Sequence, residues 1–169
     1  MEQKELVRKA QRGDTKAFSQ LYAEIYRDLY KFALYMMKHP QDAEDAVSET
    51  VMTAFENISQ LKKEDSFKNW MFTILNRKCM RILNKRFAQN EPQEAEKNQP
   101  SENPDYAQQT EVREAFASLE EEERAILSFS VFGGYKSEEI AKMLEKNPAT
   151  VRSKKSRALG KMRTLLGSI

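Results

Sequence analysis

Apolar residues recur with helical spacing through nearly the whole chain, and this periodicity constrains the fold more than any other feature. Between residues 14 and 38 they follow the i, i+3, i+4, i+7 pattern of an amphipathic helix, starting at Phe18 and Leu21. The same pattern predicts helices over residues 5–11, from 42 to 58 and from 66 to about 87. No segment shows a convincing strand alternation, so the sequence predicts an all-α protein.

Residues 88–109 differ in composition from the segments on either side. They contain three of the five prolines, several acidic residues and hardly any large apolar side chain. A segment of this kind cannot bury enough apolar surface to offset the entropy lost on ordering. We therefore predict two small helical domains, residues 1–87 and 110–169, joined by an acidic flexible linker, residues 88–109.

The charges are segregated along the chain although the net charge is only +2. From Lys146 to the end there are seven basic residues and no acidic one, whereas residues 41–58 contain five acidic residues and no basic one. A chain that needed only solubility would mix the two signs. The segregation indicates separate surfaces for separate partners, with nucleic acid the expected partner of the basic one.

Several classes of protein are excluded by what the sequence lacks. A single cysteine, Cys79, permits neither an internal disulfide nor a cysteine-based zinc cluster. No apolar run approaches the roughly 20 residues needed to cross a bilayer, and no secretory signal is evident, so we expect a cytoplasmic protein without direct membrane insertion. Without a glycine-rich phosphate loop, paired carboxylates or a Cys/His pair, we expect no catalytic residue, metal site or cofactor, and hence no enzyme.

Residues 137–157 predict a helix-turn-helix. Ser137 can cap a short first helix, and Asn147-Pro148 provides an N-cap followed by proline at the first helical position of the next helix. Glu145 occupies the turn position usually filled by glycine, where a left-handed backbone would cost about 1 kcal/mol. The second helix presents a basic and hydroxyl-bearing face suited to DNA: Arg152, Ser153, Lys155, Ser156 and Arg157. The alternative is an ordinary helical hairpin with a solvated basic face.

Two groups of motifs resemble regions 2 and 4 of the sigma-70 family, in particular its extracytoplasmic-function (ECF) group. DAEDAVSE (residues 42–49) and FKNWMFTIL (67–75) resemble the region 2 patterns D-A-E-D-x-V-Q-E and F-x-x-W-L-x-x-I-A. LEEEERAIL (119–127), SEEIA (137–141) and TVRS (150–153) resemble the region 4 patterns L-P-x-x-x-R-x-x-L, S-x-x-E-I-A and T-V-x-S-R. The resemblance implies promoter-specific transcription initiation together with core RNA polymerase.

The resemblance also implies a role for each surface. The acidic helix would bind the clamp coiled coil of the polymerase β′ subunit through Asp42, Asp45, Glu49 and Met52, and region 4 would approach the β flap. The loop at 59–65 and the helix after it would capture and unpair the −10 element through Lys62, Lys63, Lys68, Asn69, Arg77, Arg81 and Lys85. The five residues named above on the helix-turn-helix would read the −35 element. An anti-sigma factor is the expected regulatory partner.

Some positions depart from the family patterns or invite a second interpretation. Arg81 stands where Asp is common and Arg77 where Asn is common, which leaves the promoter sequence preference open. Of the three aromatic residues near the loop, we expect Phe67 and Trp70 to pack in the core and Phe72 to be exposed. We expect the acidic run at 120–123 to be a solvated helix start.

Two other classes of protein compete with this interpretation. One is a free-standing helix-turn-helix regulator, which would be expected to dimerise and read two half-sites. The other is a purely protein-binding helical module. The acidic helix and basic ridge before the linker argue against the regulator, and the C-terminal segment with its seven basic residues argues against the protein-binding module.

Overall fold

The computed structural model describes residues 2–88 and 104–167, with side chains over 2–85 and 111–167, and all regular structure in these ranges is helical. The α-helices are α1 (Gln3–Gln11), α2 (Thr15–Met37), α3 (Pro40–Asn57), α4 (Phe67–Ala88), α5 (Pro104–Ala117), α6 (Glu121–Val131), α7 (Ser137–Leu144) and α8 (Pro148–Leu166). Short 3-10 turns at Ile58–Gln60 and Glu64–Ser66 lie between α3 and α4. None of the helices in the described ranges combines the length and apolar character that a bilayer span requires.

The first domain is built around the long helix α2. The Asp14 carboxylate caps its start by accepting hydrogen bonds from the backbone N–H groups of Lys16 and Ala17, at 3.0 and 3.2 Å. The helix ends at Lys38, whose backbone is left-handed with φ of 68°, and Pro40 then occupies the first turn of α3. Helices α1, α3 and α4 pack around α2 and bury its apolar stripe, as the periodicity predicts.

The second domain contains the predicted helix-turn-helix, α7 followed by α8. Asn147 caps α8 by accepting a hydrogen bond from the backbone N–H of Ala149 at 2.8 Å, and Pro148 is the first helical residue. Glu145 takes the left-handed conformation expected of it, with φ of 55°. The predicted cap of α7 is wrong by one residue, because Ser137 is already helical and Lys136 precedes the helix.

The two domains are packed against each other. Helix α6 lies between them: residues 123–129 are all buried, with Ile126 and Phe129 in a large core cluster that spans both domains and Leu127 in a smaller cluster made mainly of second-domain residues. Phe72, expected on the surface, is fully buried because its ring packs against Phe32 and against Tyr135 of the second domain. The other two expectations hold, since Phe67 is fully buried and Trp70 is half-buried beside it.

The described ranges meet the predicted linker only at its ends. Helix α4 extends to Ala88, and α5 begins at Pro104, within the segment 88–109 that the composition assigns to the linker. The rest of that segment, residues 89–103, lies outside the described residues. The structure therefore starts the helical part of the second domain six residues before the predicted position 110.

Candidate nucleic-acid and protein interfaces

Helix α8 presents its predicted DNA-reading residues to solvent. Its inner side is fixed by Val151, Ala158 and Met162, which are buried against the other helices of the second domain. This packing turns the opposite face outward, so Arg152, Ser153, Ser156 and Arg157 are exposed and Lys155 is half-buried. The helix thus offers guanidinium and hydroxyl donors of the kind that contact phosphates and base edges in a DNA groove.

Acidic residues of α6 form ion pairs with two lysines of α8 and with Lys146 in the turn before it. The Glu122 carboxylate forms ion pairs with Lys154 and, at 3.2 Å, with Lys146, while Glu123 accepts a hydrogen bond from Lys161 at 2.7 Å. The hydrogen bond from Lys154 holds the pKa of Glu122 below its usual value. The expectation of a solvated acidic run holds for Glu120, which is exposed, and is wrong for Glu123, which is only 1% exposed. The carboxylates of Glu122 and Glu123 instead pair with lysines on α8 and beside it.

Arg152 is exposed but already has an acidic neighbour. Its Nη1 lies 3.1 Å from the Glu138 carboxylate at the start of α7, and both side chains are more than half exposed. An exposed pair of this kind contributes little to stability, about 1 kcal/mol at most. Arg152 can therefore exchange this carboxylate for a phosphate or a guanine edge at small cost.

Helix α3 carries the predicted protein-binding face. Asp45 is exposed, Glu49 is half-buried and the Met52 side chain is 63% exposed, so three of the four predicted residues are accessible on one side of the helix. Phe55, 42% exposed, adds apolar surface nearby. Asp42 departs from the prediction because it is only 6% exposed; it lies in the first turn of α3, where the helix dipole favours a carboxylate.

Helix α4 and the segment before it carry the predicted basic surface. Lys62, Lys63, Asn69, Arg77, Arg81 and Lys85 are all exposed. Arg81 also forms an ion pair with Glu49 of α3. The position where the family more often has Asp is therefore occupied here by a cation that connects the basic surface of α4 with the acidic face of α3.

Lys68 is separated from the other predicted DNA-binding residues. Its ammonium donates a hydrogen bond to the backbone carbonyl of Gly133 in the second domain, with 2.8 Å between Nζ and the oxygen. The same Nζ lies 5.9 Å from the centre of the Phe72 ring and 5.3 Å from that of Tyr135. In this structure Lys68 belongs to the contact between the domains and does not form part of the exposed basic surface.

Helix α1 holds the loop predicted to capture the −10 element. Gln11 donates hydrogen bonds from Nε2 to the carbonyls of Ile58 and Leu61, at 3.1 and 2.9 Å, and Arg8 forms an ion pair with Glu64 at 2.7 Å. Sequence reasoning missed both residues. Contacts between residues some fifty positions apart leave no periodic signal in the sequence.

The comparisons with known families match both domains. The model for sigma-70 region 2 matches residues 21–87, and the model for sigma-70 region 4 matches residues 109–162. The chain is 28% identical to RNA polymerase sigma factor SigV of Bacillus subtilis over 144 residues, covering 83% of this chain and 85% of SigV. It is 26% identical to the ECF RNA polymerase sigma factor SigM of Mycobacterium tuberculosis over 163 residues, covering 92% of this chain and 80% of SigM.

Solved structures share the fold over both domains. CnrH, in complex with the cytosolic domain of CnrY, superposes with a TM-score of 0.76 at 21% identity, covering 97% of this chain and 96% of CnrH. The sigma factor RpoE of Bartonella quintana, in complex with the anti-sigma factor NepR, gives a TM-score of 0.74 at 24% identity, covering 89% of this chain and 97% of RpoE. With both region models matched in the order found in the relatives, this chain belongs to the sigma-70 family, in its ECF group.

Proposed function

We propose that this protein binds core RNA polymerase through the exposed face of α3, captures the −10 element with the loop before α4 and with α4 itself, and reads the −35 element with α8. The observation that carries the proposal is the placement of three chemically distinct surfaces on three helices. The α3 face is acidic and apolar, α4 is basic, and α8 combines guanidinium and hydroxyl groups.

The α3 face has the composition of a protein-binding site. Met52 supplies an unusually exposed apolar side chain, and the carboxylates of Asp45 and Glu49 flank it on the same side of the helix. A buried apolar anchor surrounded by charges is the usual arrangement of an interface hot spot. The acidic charges favour a basic surface on the partner and exclude DNA, which supports the polymerase clamp as the occupant.

The α4 surface suits an opened DNA strand. Unstacking DNA costs about 1.4 kcal/mol per base-pair step, so a protein without an energy source must offset this cost by binding the released strand. Arg77, Arg81 and Lys85 are exposed at successive turns of α4 and can follow the phosphates of such a strand. Because Phe67 and Phe72 are buried, binding here would depend on these cations and on the loop at 58–66.

The α8 surface suits the major groove of a duplex. The N-terminal half of the helix bears Arg152, Ser153 and Ser156 on its outer side, as expected of a recognition helix. Arginine contacts to guanine would select sequence, whereas contacts to phosphates would add affinity that decreases with salt.

An anti-sigma factor is the regulatory partner we propose. Two solved structures that share this fold are complexes, one of CnrH with the cytosolic domain of CnrY and one of the sigma factor RpoE with the anti-sigma factor NepR. A protein that covers the α3 face and restrains the second domain would prevent both polymerase and promoter binding. On this proposal the chain acts in the cytoplasm as a transcription regulator and not as an enzyme.

Run-off transcription with purified core polymerase and genomic DNA fragments tests the proposal. The wild-type protein should produce specific start sites, and combining Asp45→Ala with Glu49→Ala should reduce them at least tenfold. Glu44→Ala is the matched control, because Glu44 is an exposed carboxylate on another side of α3, and it should retain activity. If the protein binds DNA tightly but never directs core polymerase, the proposal fails and the free-standing regulator replaces it.

A further inference from the structure

Helix α1 is rich in basic side chains, and none of them takes part in the surfaces described above. Between residues 4 and 12, α1 and the residue that follows it contain four basic residues and one acidic residue, Glu5. The model for sigma-70 region 2 matches residues 21–87, so α1 precedes the matched part of the chain. The likeness to region 2 therefore gives these basic side chains no role.

The packing of α1 turns its basic residues toward solvent. Lys4 and Arg8 lie one helical turn apart and are exposed, as is Arg12 directly after the helix. The helix is anchored against α2 by its three buried residues, Leu6, Val7 and Ala10. At 1.5 Å per residue, positions four apart are separated by about 6 Å along the helix, so the three cations form a row.

This row borders the loop proposed to capture the −10 element. Gln11 donates a hydrogen bond to the Leu61 carbonyl at 2.9 Å, and Arg8 forms an ion pair with Glu64 at 2.7 Å. Residues 62–63, both exposed lysines, lie between these two attachment points. Because only two residues separate the attached positions, both lysines lie close to α1, and a strand held by them would be adjacent to its basic row.

The Glu64 carboxylate neutralises only part of this surface. The hydrogen bond from Arg8 holds the pKa of Glu64 below its usual value, and the nearby charge of Lys4 lowers this pKa further. Within residues 2–85 and 111–167, the side chains of Lys4 and Arg12 form no ion pair or hydrogen bond. These two cations are therefore available to an anionic ligand beside the loop lysines.

The composition of the α1 surface favours phosphates over a protein partner. No large apolar side chain of α1 is exposed, whereas the proposed polymerase-binding face of α3 has the exposed side chains of Met52 and Phe55. Protein interfaces depend on buried apolar anchors, and α1 offers none. It also has no aromatic ring on which a base could stack, so contacts here would be with the DNA backbone and independent of sequence.

We propose that α1 extends the −10 surface of the first domain: the opened strand, beyond the loop at 58–66, is bound through its phosphates by Lys4, Arg8 and Arg12. This inference rests on the proposed function and deepens it, because it adds a strand-binding element outside the part of the chain that matches region 2.

The test variant combines Lys4→Gln with Arg12→Gln. It removes two positive charges and leaves Arg8 and Gln11, which hold the loop, in place. Glutamine and lysine have similar helix propensities, so α1 should persist. A second variant, Lys4→Arg with Arg12→Lys, exchanges the two residue types and keeps both charges.

Arg27→Gln combined with Lys31→Gln is the matched control. Both residues are exposed on α2, and the control loses one arginine and one lysine, as the test variant does. Each of these two variants lowers the net charge from +2 to 0. Any difference between them therefore reports where the charge was removed and not how much.

The measurement is the affinity of the full chain for a fluorescent single-stranded DNA as a function of salt concentration. Each phosphate contact to a single strand contributes about 0.7 to the slope of log affinity against log salt, so the α1 variant should lose about 1.4 of this slope. Its affinity at low salt should decrease about threefold to tenfold, while the α2 control should stay within about twofold of wild type. The charge-preserving variant should retain the wild-type slope.

Equal slopes in the α1 variant and the α2 control, or no measurable binding by the wild-type protein, would overturn the proposal. So would faster amide hydrogen exchange in residues 58–66 of the α1 variant, because the loss of affinity would then come from a loosened loop. A reduced slope with unchanged exchange in the loop supports direct contact between α1 and the strand.

The failure of this inference and the failure of the proposed function are distinguishable. The binding measurement requires neither polymerase nor a promoter, so a reduced slope would establish the α1 contact even if the run-off assay shows no specific start sites. Conversely, if the run-off assay succeeds and the slopes are equal, the protein directs initiation without a strand contact from α1.

Discussion

The two domains bury their apolar residues in different ways. In the first domain, α2 packs against α1, α3 and α4, and its large side chains, such as Leu29 and Met36, are fully buried. In the second domain, α6 shares its apolar residues between two clusters, and Phe129 packs against Phe32 across the boundary. The second domain therefore depends on the first for part of its core, while α2 packs mainly against helices of its own domain.

The polar contacts also differ between the two domains. Within the first domain they include Gln11 hydrogen bonds to loop carbonyls and a few exposed ion pairs. In the second, two adjacent charged residues of α6, Glu123 and Arg124, are buried, and Glu122 forms ion pairs with two lysines. This arrangement restrains a strongly basic helix with limited apolar area, and it leaves the outer face of α8 available for DNA.

The largest expected effect comes from Phe129→Ala, which removes the ring shared by both domains. We expect a loss of about 3–5 kcal/mol in unfolding free energy, because a large buried ring leaves a cavity. The second domain should then unfold at lower urea than the first. Fluorescence of Trp70, the single tryptophan, reports the first domain, and circular dichroism reports both.

Val131→Ala is the control for this prediction, since Val131 lies on the same helix and is 56% exposed. It should change the stability by less than about 0.5 kcal/mol. Coincident fluorescence and circular-dichroism transitions in Phe129→Ala would contradict the view that the second domain depends on the first.

Gln11→Ala should loosen the loop of the first domain without affecting the second. Losing two hydrogen bonds to buried or half-buried carbonyls should cost about 1–2 kcal/mol. Amide hydrogen exchange should accelerate in residues 58–66 and stay unchanged in α7 and α8. Gln20→Ala, at an exposed position of α2, serves as the control, and unaltered exchange in the loop would show that α1 does not hold it.

Glu145→Gly should stabilise the second domain, whereas the preceding substitutions should destabilise the protein. Glycine adopts the left-handed backbone at φ of 55° without a Cβ clash, so we expect a gain of about 1 kcal/mol, or roughly 2–4 °C in Tm. Lys142→Gly, inside α7, should instead lose about 1 kcal/mol. A lower Tm for Glu145→Gly would mean that the glutamate side chain contributes a contact worth more than the strain.

The smallest expected effect concerns the Glu122 ion pairs. The pKa of Glu122 is lowered in the folded protein, chiefly by the hydrogen bond from Lys154. The ionised carboxylate therefore stabilises the folded state above about pH 4.5, and this stabilisation is lost as the pH falls below that value. The side chain is 31% exposed, so this contribution should be below about 1 kcal/mol. The difference in unfolding free energy between wild type and Glu122→Gln, measured by urea titration, should be present at pH 7 and shrink as the pH falls below about 4.5. A constant difference would exclude the ion pairs as its cause.

Local features of the fold follow from the sequence because their causes are local. The helical periodicity predicts α2 and α3. Asn147 and Pro148 determine where α8 begins, because the Asn147 side chain accepts a hydrogen bond from the backbone N–H of Ala149, only two residues away. The left-handed backbone of Glu145 follows from the length of the turn in the helix-turn-helix pattern. The exposure of Asp45, Arg77 and Arg157 follows equally from their position opposite an apolar stripe.

The burial of Phe72 and Asp42, and the removal of Lys68 from the basic surface, depend on which helices meet in space. Phe72 lies outside the predicted apolar stripe of α4, and its ring is buried among Phe32 of the first domain and Phe129 and Tyr135 of the second. Periodicity describes one helix at a time, whereas burial and long-range hydrogen bonds depend on the free energy of packing several helices together. The helices and their charged faces could thus be predicted from the amino acids, while the contact between the domains arose from tertiary packing.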